Sequence, residues 1–171
     1  EGAREELDID WAKFSCVACD NSEFEPPCDW VTHDDTDAVR VACEEVFRKG
    51  YRRPALAILR HVETLDHWHF EAAYLKAAET LFGGWKAPVY RGRFDDARGF
   101  EEWYRKTKAD VVIGSNSQPY WWIKEAGAKR FGFVSLSVDP GSMYAGTLWD
   151  TAPFADPALS CPPPVSTRSE E

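Results

Sequence analysis

The sequence predicts an α/β fold, a three-layer Rossmann-like parallel sheet with helices on both faces. Between residues 14 and 136, short β-branched or apolar runs alternate with amphipathic stretches. The run at residues 54–59 (PALAIL) is apolar throughout and bounded by charge, which is typical of a strand buried on both faces. Hydrophobic residues make up 44% of the 171-residue chain, which is enough for one globular domain of ordinary size.

The first predicted elements are a strand at residues 14–19 and, after an irregular stretch with Pro26 and Pro27, a helix. Residues 34–36 (DDT) offer the N-cap of this helix, and Gly50 ends it. Between them, apolar residues recur at the spacing that places one helical stripe on a core: Val39, Ala42, Cys43, Val46 and Phe47.

A buried parallel strand at residues 54–59 follows, and then the longest helical candidate, residues 64–82. Gly83 and Gly84 are the stop signal of this helix. Its apolar stripe consists of Phe70, Tyr74, Ala77 and Leu81.

The next region predicts a strand, a helix and a second strand. Residues 88–90 form a weak strand, which Pro88 assigns to a sheet edge or a strand start. Residues 110–114 (DVVIG) are the clearest strand pattern in the chain. The helix between them, at residues 96–106, is expected to bury Phe100, Trp103 and Tyr104.

The last predicted elements are a short helix and a strand. Ser117 is expected to cap the helix, which ends at Gly127, and residues 130–136 form the strand. After Trp149 the composition changes to proline, serine and charge. Residues 151–171 are therefore expected to be a poorly ordered proline-rich tail.

Composition and charge exclude several classes of protein. The chain carries 20 Lys and Arg against 29 Asp and Glu, a net charge of −9, which disfavours a nucleic-acid-binding surface. No apolar run approaches the roughly 18 to 20 residues that cross a bilayer. Five cysteines, an odd number, and no charged-then-apolar leader favour the cytoplasm and free thiols. Because the first residue is Glu1 and not Met, we expect either that a segment has been removed upstream or that the chain is an expressed fragment.

Two groups of residues resemble metal ligands. Cys16, Cys19, Cys28 and His33 offer a zinc-type set, but strand residues three apart point to opposite faces, so packed thiols are favoured. Cys43 lies on the helical stripe and is expected in the core. In the second group, His67 and His69 face about 200° apart on a helix, so a shared site with His61 and Glu71 is disfavoured. No metal or cofactor is expected.

Motifs for catalysis are absent from the sequence. It contains no G-x-S-x-G and no phosphate-binding glycine loop between a strand and a helix. Asp95 and Asp96 are interpreted as a helix cap, not as an acid–base pair. Trp121 and Trp122 are either core residues or a stacking platform, and the sequence leaves both interpretations open.

Open α/β sheets bind ligands at the carboxyl ends of their strands, which indicates where a site would lie. That rule selects residues that combine hydrogen-bonding groups with an aromatic face, a combination that suits a polyol or another small polar molecule. They are Arg60, His61, residues 91–94, Ser115, Asn116 and Ser137.

The ordered pattern resembles the lactose-repressor (LacI) family of transcriptional regulators. The resemblance begins at VTHDDTDAVRVACEEVFRKGYRRPALAIL and continues through EAAYLKAA, GFEEWYRKTKADVVIGSNS, EAGAKRFGFVSLSV and YAGTLW. It implies a periplasmic-binding-protein-like subdomain at residues 1–150, the C-terminal half of an effector-binding core, with residues 1–13 crossing between subdomains. In that family a helix-turn-helix and a first subdomain precede this half, and the effector binds between the halves.

The resemblance also implies site residues. Asn116 falls on an asparagine that commonly hydrogen-bonds the effector, and Phe94 falls where an aromatic ring stacks on it. Ser137, Arg60 and His61 would line the same edge, with Trp121 or Trp68 stacking on a ring. At three positions where the LacI family usually has an arginine, an aspartate and a glutamine, this chain has Phe70, Ser137 and Trp149, respectively. These losses predict an effector that is more apolar or aromatic than a simple sugar, or no effector.

The predicted function is therefore small-molecule sensing without catalysis. The complete regulator would contact DNA only through a helix-turn-helix outside this chain, and it would form a homodimer. Three alternatives stay open. They are a solute-binding protein of the periplasmic type, a small enzyme on a doubly wound sheet, and a truncated product without activity.

Overall fold

A computed structural model describes residues 9–14, 16–19, 28–31, 34–60 and 68–148. The chain divides into two compact units, residues 34–149 and residues 1–33 together with 150–171. In the smaller unit, strands β1 (Val17–Cys19) and β2 (Asp29–Val31) pair in parallel. β1 is shorter than the strand predicted at residues 14–19. It is preceded by a 3-10 turn at Trp11–Lys13, which the Phe14 amide closes by donating to the Trp11 carbonyl. β2 lies in a region where no strand was predicted.

The larger unit is a parallel sheet with strand order β4-β3-β5-β6-β7, so the α/β prediction is confirmed. β7 was not predicted. It is a short strand at the edge of the described sheet, paired with β6, and the register of this pairing shifts between Ser135 and Val138. The elements are α1 (Asp35–Arg48), β3 (Pro54–Arg60), α2 (Trp68–Leu81), β4 (Val89–Arg93), α3 (Ala97–Thr107), β5 (Val111–Gly114), α4 (Gln118–Glu125), β6 (Gly132–Val138) and β7 (Ala145–Leu148).

The sheet carries a separate hydrophobic core on each face, which confirms the three-layer arrangement. Alternate residues of β3 point to opposite faces, so Leu56 and Ile58 enter one core while Ala57 and Leu59 enter the other. α1 and α2 cover the first core, which includes Val39, Cys43, Val46, Tyr74 and Phe82. α3 and α4 cover the second, which includes Tyr90, Phe100, Val112, Trp122 and Phe133.

Helix α1 follows its predicted pattern closely. The Asp37 amide donates to the Asp34 carboxylate at 2.9 Å, so Asp34 is the N-cap. Four residues of the predicted stripe are buried, but Phe47 is 36% exposed. After the helix, Gly50 has a φ of +95°, a left-handed conformation that glycine adopts without strain.

Helix α2 begins at Trp68, and residues 61–67 lie outside the described ranges. Phe70 and Tyr74 are buried as predicted, but the stripe continues through Ala78 and Phe82. Ala77 and Leu81, which were predicted to continue the buried stripe, are only half-buried. The actual stripe has a spacing of four residues, so it rotates slowly around the helix as it follows the sheet.

The start of α3 has the cap that the sequence predicts. The Gly99 amide donates to the Asp96 carboxylate at 2.9 Å, which confirms Asp96 as a cap, while Asp95 pairs with Arg93.

In α4, Trp122 is a core residue with 7% of its surface exposed, whereas Trp121 is 38% exposed. No helix in the described ranges is both long enough and apolar enough to cross a membrane.

Candidate functional site

The carboxyl ends of four neighbouring strands, β4, β3, β5 and β6, form one edge of the sheet. The register aligns Arg60 at the end of β3 with Arg93 at the end of β4, and Gly114 at the end of β5 with Ser135 of β6. With strands about 4.8 Å apart, the four ends span roughly 14 Å, which is the scale of a small ligand. This edge is the candidate site.

Asn116 lies in the turn between β5 and α4. Its Oδ1 accepts a hydrogen bond from the Gln118 amide at 2.9 Å, and its Nδ2 donates to Ser115 Oγ at 3.3 Å. Asn116 thus supplies the cap oxygen of α4, a role predicted for Ser117, whose side chain makes no cap hydrogen bond. One Nδ2 hydrogen then has no bond to a described residue.

Ser115 ties the same turn to β3. Its amide donates to the Ala57 carbonyl at 2.9 Å, and its Oγ accepts from the Leu59 amide at 3.1 Å. These bonds extend the pairing of β3 and β5 beyond the last strand residue. They fix the position of the Asn116 backbone relative to the end of β3.

Ser137 lies near the end of β6 and is half-buried. Its amide donates to Ser135 Oγ at 3.3 Å, and its carbonyl accepts from the same hydroxyl at 2.7 Å. Ser135 is fully buried and therefore shapes the backbone at this end of β6. Ser115 and Ser135 are positioning residues of this edge. In the sequence, Ser115 directly follows the apolar run of β5, and Ser135 interrupts the apolar run of β6.

Phe94 follows β4 directly and packs, half-buried, against the second core. Its neighbours are charged. Arg93 Nε donates to Asp95 Oδ1 at 3.1 Å, and this bond lowers the pKa of the Asp95 carboxyl below its usual value. Farther back on β4, Arg91 Nε donates to Glu71 Oε2 of α2 at 2.7 Å. These arginines are therefore already engaged by carboxylates.

The structure does not describe the side chains of three other predicted site residues, and a fourth lies on α4. Arg60 ends β3 and Trp68 begins α2, but only their backbones are described, and His61 lies outside the described ranges. Trp121 packs edge-on against Tyr120, and the ammonium group of Lys124 lies 5.3 Å from its ring centroid. Trp121 is thus an exposed aromatic residue on α4, one helical turn beyond the β5 end.

A row of small residues crosses the sheet just before the site. Ala57, Gly114 and Ser135 align in register, and Gly146 of β7 is opposite Ser135. A Cβ on Gly114 would lie 2.6 Å from the Asn116 carbonyl oxygen. The turn between β5 and α4 can therefore fold back onto the sheet only because position 114 has no side chain.

The chemistry available at this edge is hydrogen bonding. Within the described ranges, the hydroxyls of Ser115 and Ser135 bond to main-chain groups and the Asn116 amide, and neither bonds to a histidine or a carboxylate. Of the residues considered for zinc, Cys16 and Cys28 are half-buried, the side chain of Cys19 is not described, and His33 and His67 lie outside the described ranges. No three metal-binding side chains come together in the part of the chain that is described.

Comparison with known proteins identifies the fold. No family model and no curated protein matches the sequence. Among solved structures, a LacI transcriptional regulator from a Rhodococcus species is similar over 87% of this chain, with 15% identity and a TM-score of 0.63. A sugar-binding LacI-family regulator from Escherichia coli, complexed with phosphate, matches 73% at 16% identity and a TM-score of 0.52.

A solute-binding protein of an ABC transporter from Burkholderia multivorans, with an unknown ligand described as α-D-erythrofuranose, matches 76% of the chain at 15% identity and a TM-score of 0.56. The chain spans 61%, 45% and 51% of these three structures, in that order, so it corresponds to about half of their length. These three neighbours are two regulators and a solute-binding protein. The chain therefore has the periplasmic-binding-protein-like fold of LacI-family effector-binding domains, of which it resembles one subdomain.

Proposed function

We propose that this chain contains the C-terminal effector-binding subdomain of a LacI-like transcriptional regulator. The observation that carries the proposal is the parallel register of β4, β3, β5 and β6, which gathers the ends of these strands at one edge. In open α/β sheets this edge is where ligands bind. The likeness to LacI-family regulators supports the same assignment.

The effector is a small molecule, a sugar or another polar ligand with an apolar or aromatic face. Asn116 offers an amide donor, the end of β6 offers main-chain groups beside Ser137, and Phe94 offers a ring. Phe70, which replaces the arginine usual in the family, is 8% exposed in the first core. It brings no charged donor to the ligand, so the effector is expected to be neutral where that arginine would bind.

Signalling in the complete protein would act through differential affinity. An effector that binds more tightly to the closed cleft between two subdomains shifts the equilibrium toward that state, and DNA affinity changes with it. This role needs no catalysis, and DNA contact would come from a helix-turn-helix elsewhere in the protein. Five cysteines favour action in the cytoplasm, and a homodimer would match paired half-sites in DNA.

The proposal is tested by thermal unfolding in the presence of D-glucose, D-ribose and phenyl β-D-glucoside. A ligand present at 100 times its dissociation constant stabilises the fold by about 2.7 kcal/mol, which raises the melting temperature by several degrees. Asn116→Asp keeps the acceptor for the Gln118 amide but removes the Nδ2 donor, so it is expected to abolish the ligand-induced rise.

Thr80→Ala is the matched control for this variant. Its hydroxyl donates to the Lys76 carbonyl near the C-terminal end of α2, away from the candidate site. We expect its ligand response to equal that of the unmodified chain. An unchanged response in Asn116→Asp, or no response of the unmodified chain to any of the three ligands, would refute the site.

A solute-binding protein of the periplasmic type is the second candidate, favoured by the Burkholderia multivorans match, which resembles this chain as closely as several of the regulators do. The coding sequence upstream distinguishes the two. A helix-turn-helix followed by another α/β half supports the regulator, whereas a secretion signal supports the solute-binding protein.

A further inference from the structure

An open cavity of about 540 Å³ lies at the opposite end of the sheet from the candidate site. Its walls come from the end of α1, the residue Arg52 and the turn after α2, and they include Phe47, Phe82 and Trp85. Trp85 Nε1 donates to the carbonyl of Pro54, the first residue of β3, at 2.6 Å. The cavity therefore lies at the amino end of the strands, and nothing in the proposed effector role uses it.

Aromatic rings form the apolar part of this cavity. Phe47 and Phe82 pack edge to face with their centroids 5.6 Å apart. Phe47 is 36% exposed although it continues the buried stripe of α1, and Trp85 is half-buried. Cavities of a few hundred Å³ with aromatic walls and few polar groups are typical of small-molecule sites.

Arg52 is the charged group of the cavity and is held in a fixed position. Its guanidinium carbon lies 4.4 Å from the Phe47 ring centroid, and its Nη1 donates to the carbonyls of Phe47 and Tyr51 at 2.9 and 2.7 Å. Its Nε–H and Nη2–H groups make no hydrogen bond to any described residue. These two donors form an edge of the guanidinium that can bind a carboxylate through two parallel hydrogen bonds.

The neighbouring basic side chains pair with carboxylates, whereas only the main-chain amide of Arg52 bonds to a described carboxylate, that of Asp110. Arg48 and Lys49 interact with Glu45, and Arg53 lies 3.8 Å from Asp110. Among the described residues, no carboxylate pairs with the side chain of Arg52. In a chain with a net charge of −9, Arg52 is therefore a positioned positive charge, paired with no described carboxylate, beside the partly exposed ring of Phe47.

We propose that this cavity binds a small carboxylate with an aromatic body. The carboxylate would pair with Arg52, while the ring would pack against Phe47 and Trp85. The C-terminal ends of α1 and α2 carry partial negative charge at this end of the sheet, so the carboxylate is expected to contact the guanidinium and not the helix ends. Because the cavity is open to solvent, the affinity is expected to be modest.

The test titrates the whole chain with 3-phenylpropionate and follows backbone amides and the tryptophan indole N–H groups by NMR. We expect the shifts to concentrate at Gly83, Gly84 and Trp85. The neutral 3-phenylpropanamide has nearly the same shape but lacks the charge, and it should bind about tenfold more weakly or worse. Equal binding of the two compounds, or shifts located elsewhere, would overturn the proposal.

Arg52→Gln is the variant that tests the charged group directly, and it should weaken 3-phenylpropionate binding by about tenfold or more. Arg130→Gln is the matched control, because Arg130 is exposed in the turn before β6 and also forms no ion pair with a described residue. Its affinity should equal that of the unmodified chain. Undiminished binding by Arg52→Gln, or an equal loss in both variants, would contradict the assignment.

Discussion

Gly114 controls the shape of the candidate site at the scale of a single residue. An added Cβ would lie 2.6 Å from the Asn116 carbonyl oxygen and 3.1 Å from the Phe133 ring. Both neighbours are held in place, since Asn116 caps α4 and Phe133 belongs to the second core. The closeness of the turn to the sheet therefore depends on the missing side chain.

We predict that Gly114→Ala lowers the free energy of unfolding by about 1 to 3 kcal/mol, the usual cost of overpacking, and displaces the turn that carries Asn116. Urea unfolding measures the first effect, and amide shifts of residues 115–118 measure the second. Gly83→Ala is the control, because a Cβ there has no neighbour within 4 Å. Equal stability of Gly114→Ala and the unmodified chain would show that the turn is not closely packed.

Helix α3 depends on Asp96 at the scale of the element. One carboxylate oxygen accepts from the Gly99 amide at 2.9 Å, and the other accepts from the Tyr90 hydroxyl at 3.0 Å. Burial and this hydrogen bond together raise the pKa of Tyr90, so its hydroxyl stays a donor at neutral pH. Asp96 therefore joins the start of α3 to strand β4, next to Phe94.

Removal of both interactions in Asp96→Ala is predicted to lower the free energy of unfolding by about 1 to 3 kcal/mol. Asp96→Asn keeps an oxygen for the cap and should lose less than about 1 kcal/mol. Chemical denaturation of the two variants checks this difference. If both lose the same amount, the cap is not what stabilises the element.

Elements with a strong pattern could be predicted from the sequence, and short edge elements could not. α1, β3 and β5 combine a clear apolar pattern with end signals such as Asp34 and Gly50. β7 has four residues, which are mostly small and exposed, and among the described strands it pairs with β6 alone. The Asn116 cap was missed since asparagine and serine are both good caps, and only the turn geometry selects between Asn116 and Ser117.

For the candidate site, the sequence predicts where the strand ends lie but not what their side chains contact. The topology rule places the strand ends together without any knowledge of side chains, so the shared edge of Arg60, Asn116 and Ser137 could be inferred from pattern alone. The burial and the contacts of individual side chains could not be inferred in this way. Whether Trp121 or Trp122 is buried depends on the rotation of α4 against the sheet, which a tryptophan pair does not reveal.

At the scale of the whole molecule, buried ionisable groups set the response to alkaline pH. Burial raises the pKa of the Cys43 thiol from 9.0 to about 12, and it also raises the pKa of the Tyr74 hydroxyl. Above pH 9 the unfolded chain loses the Cys43 proton while the folded chain keeps it. The unfolded state then binds fewer protons, so stability falls as pH rises.

We predict that the free energy of unfolding decreases between pH 9 and pH 11, and that Cys43→Ala makes this decrease less steep even though it lowers stability at pH 7. Urea titrations at several pH values give the slopes. A slope that is the same with and without Cys43 would show that its thiol does not contribute.

Amide chemical shifts followed during titration with D-glucose, D-ribose and phenyl β-D-glucoside show whether the carboxyl ends of β4, β3, β5 and β6 form a ligand site. We expect the perturbed amides to cluster at residues 93–95, 115–118 and 135–138. Perturbations confined to the helical faces or to the amino end of the sheet, or none at saturating ligand, would contradict it.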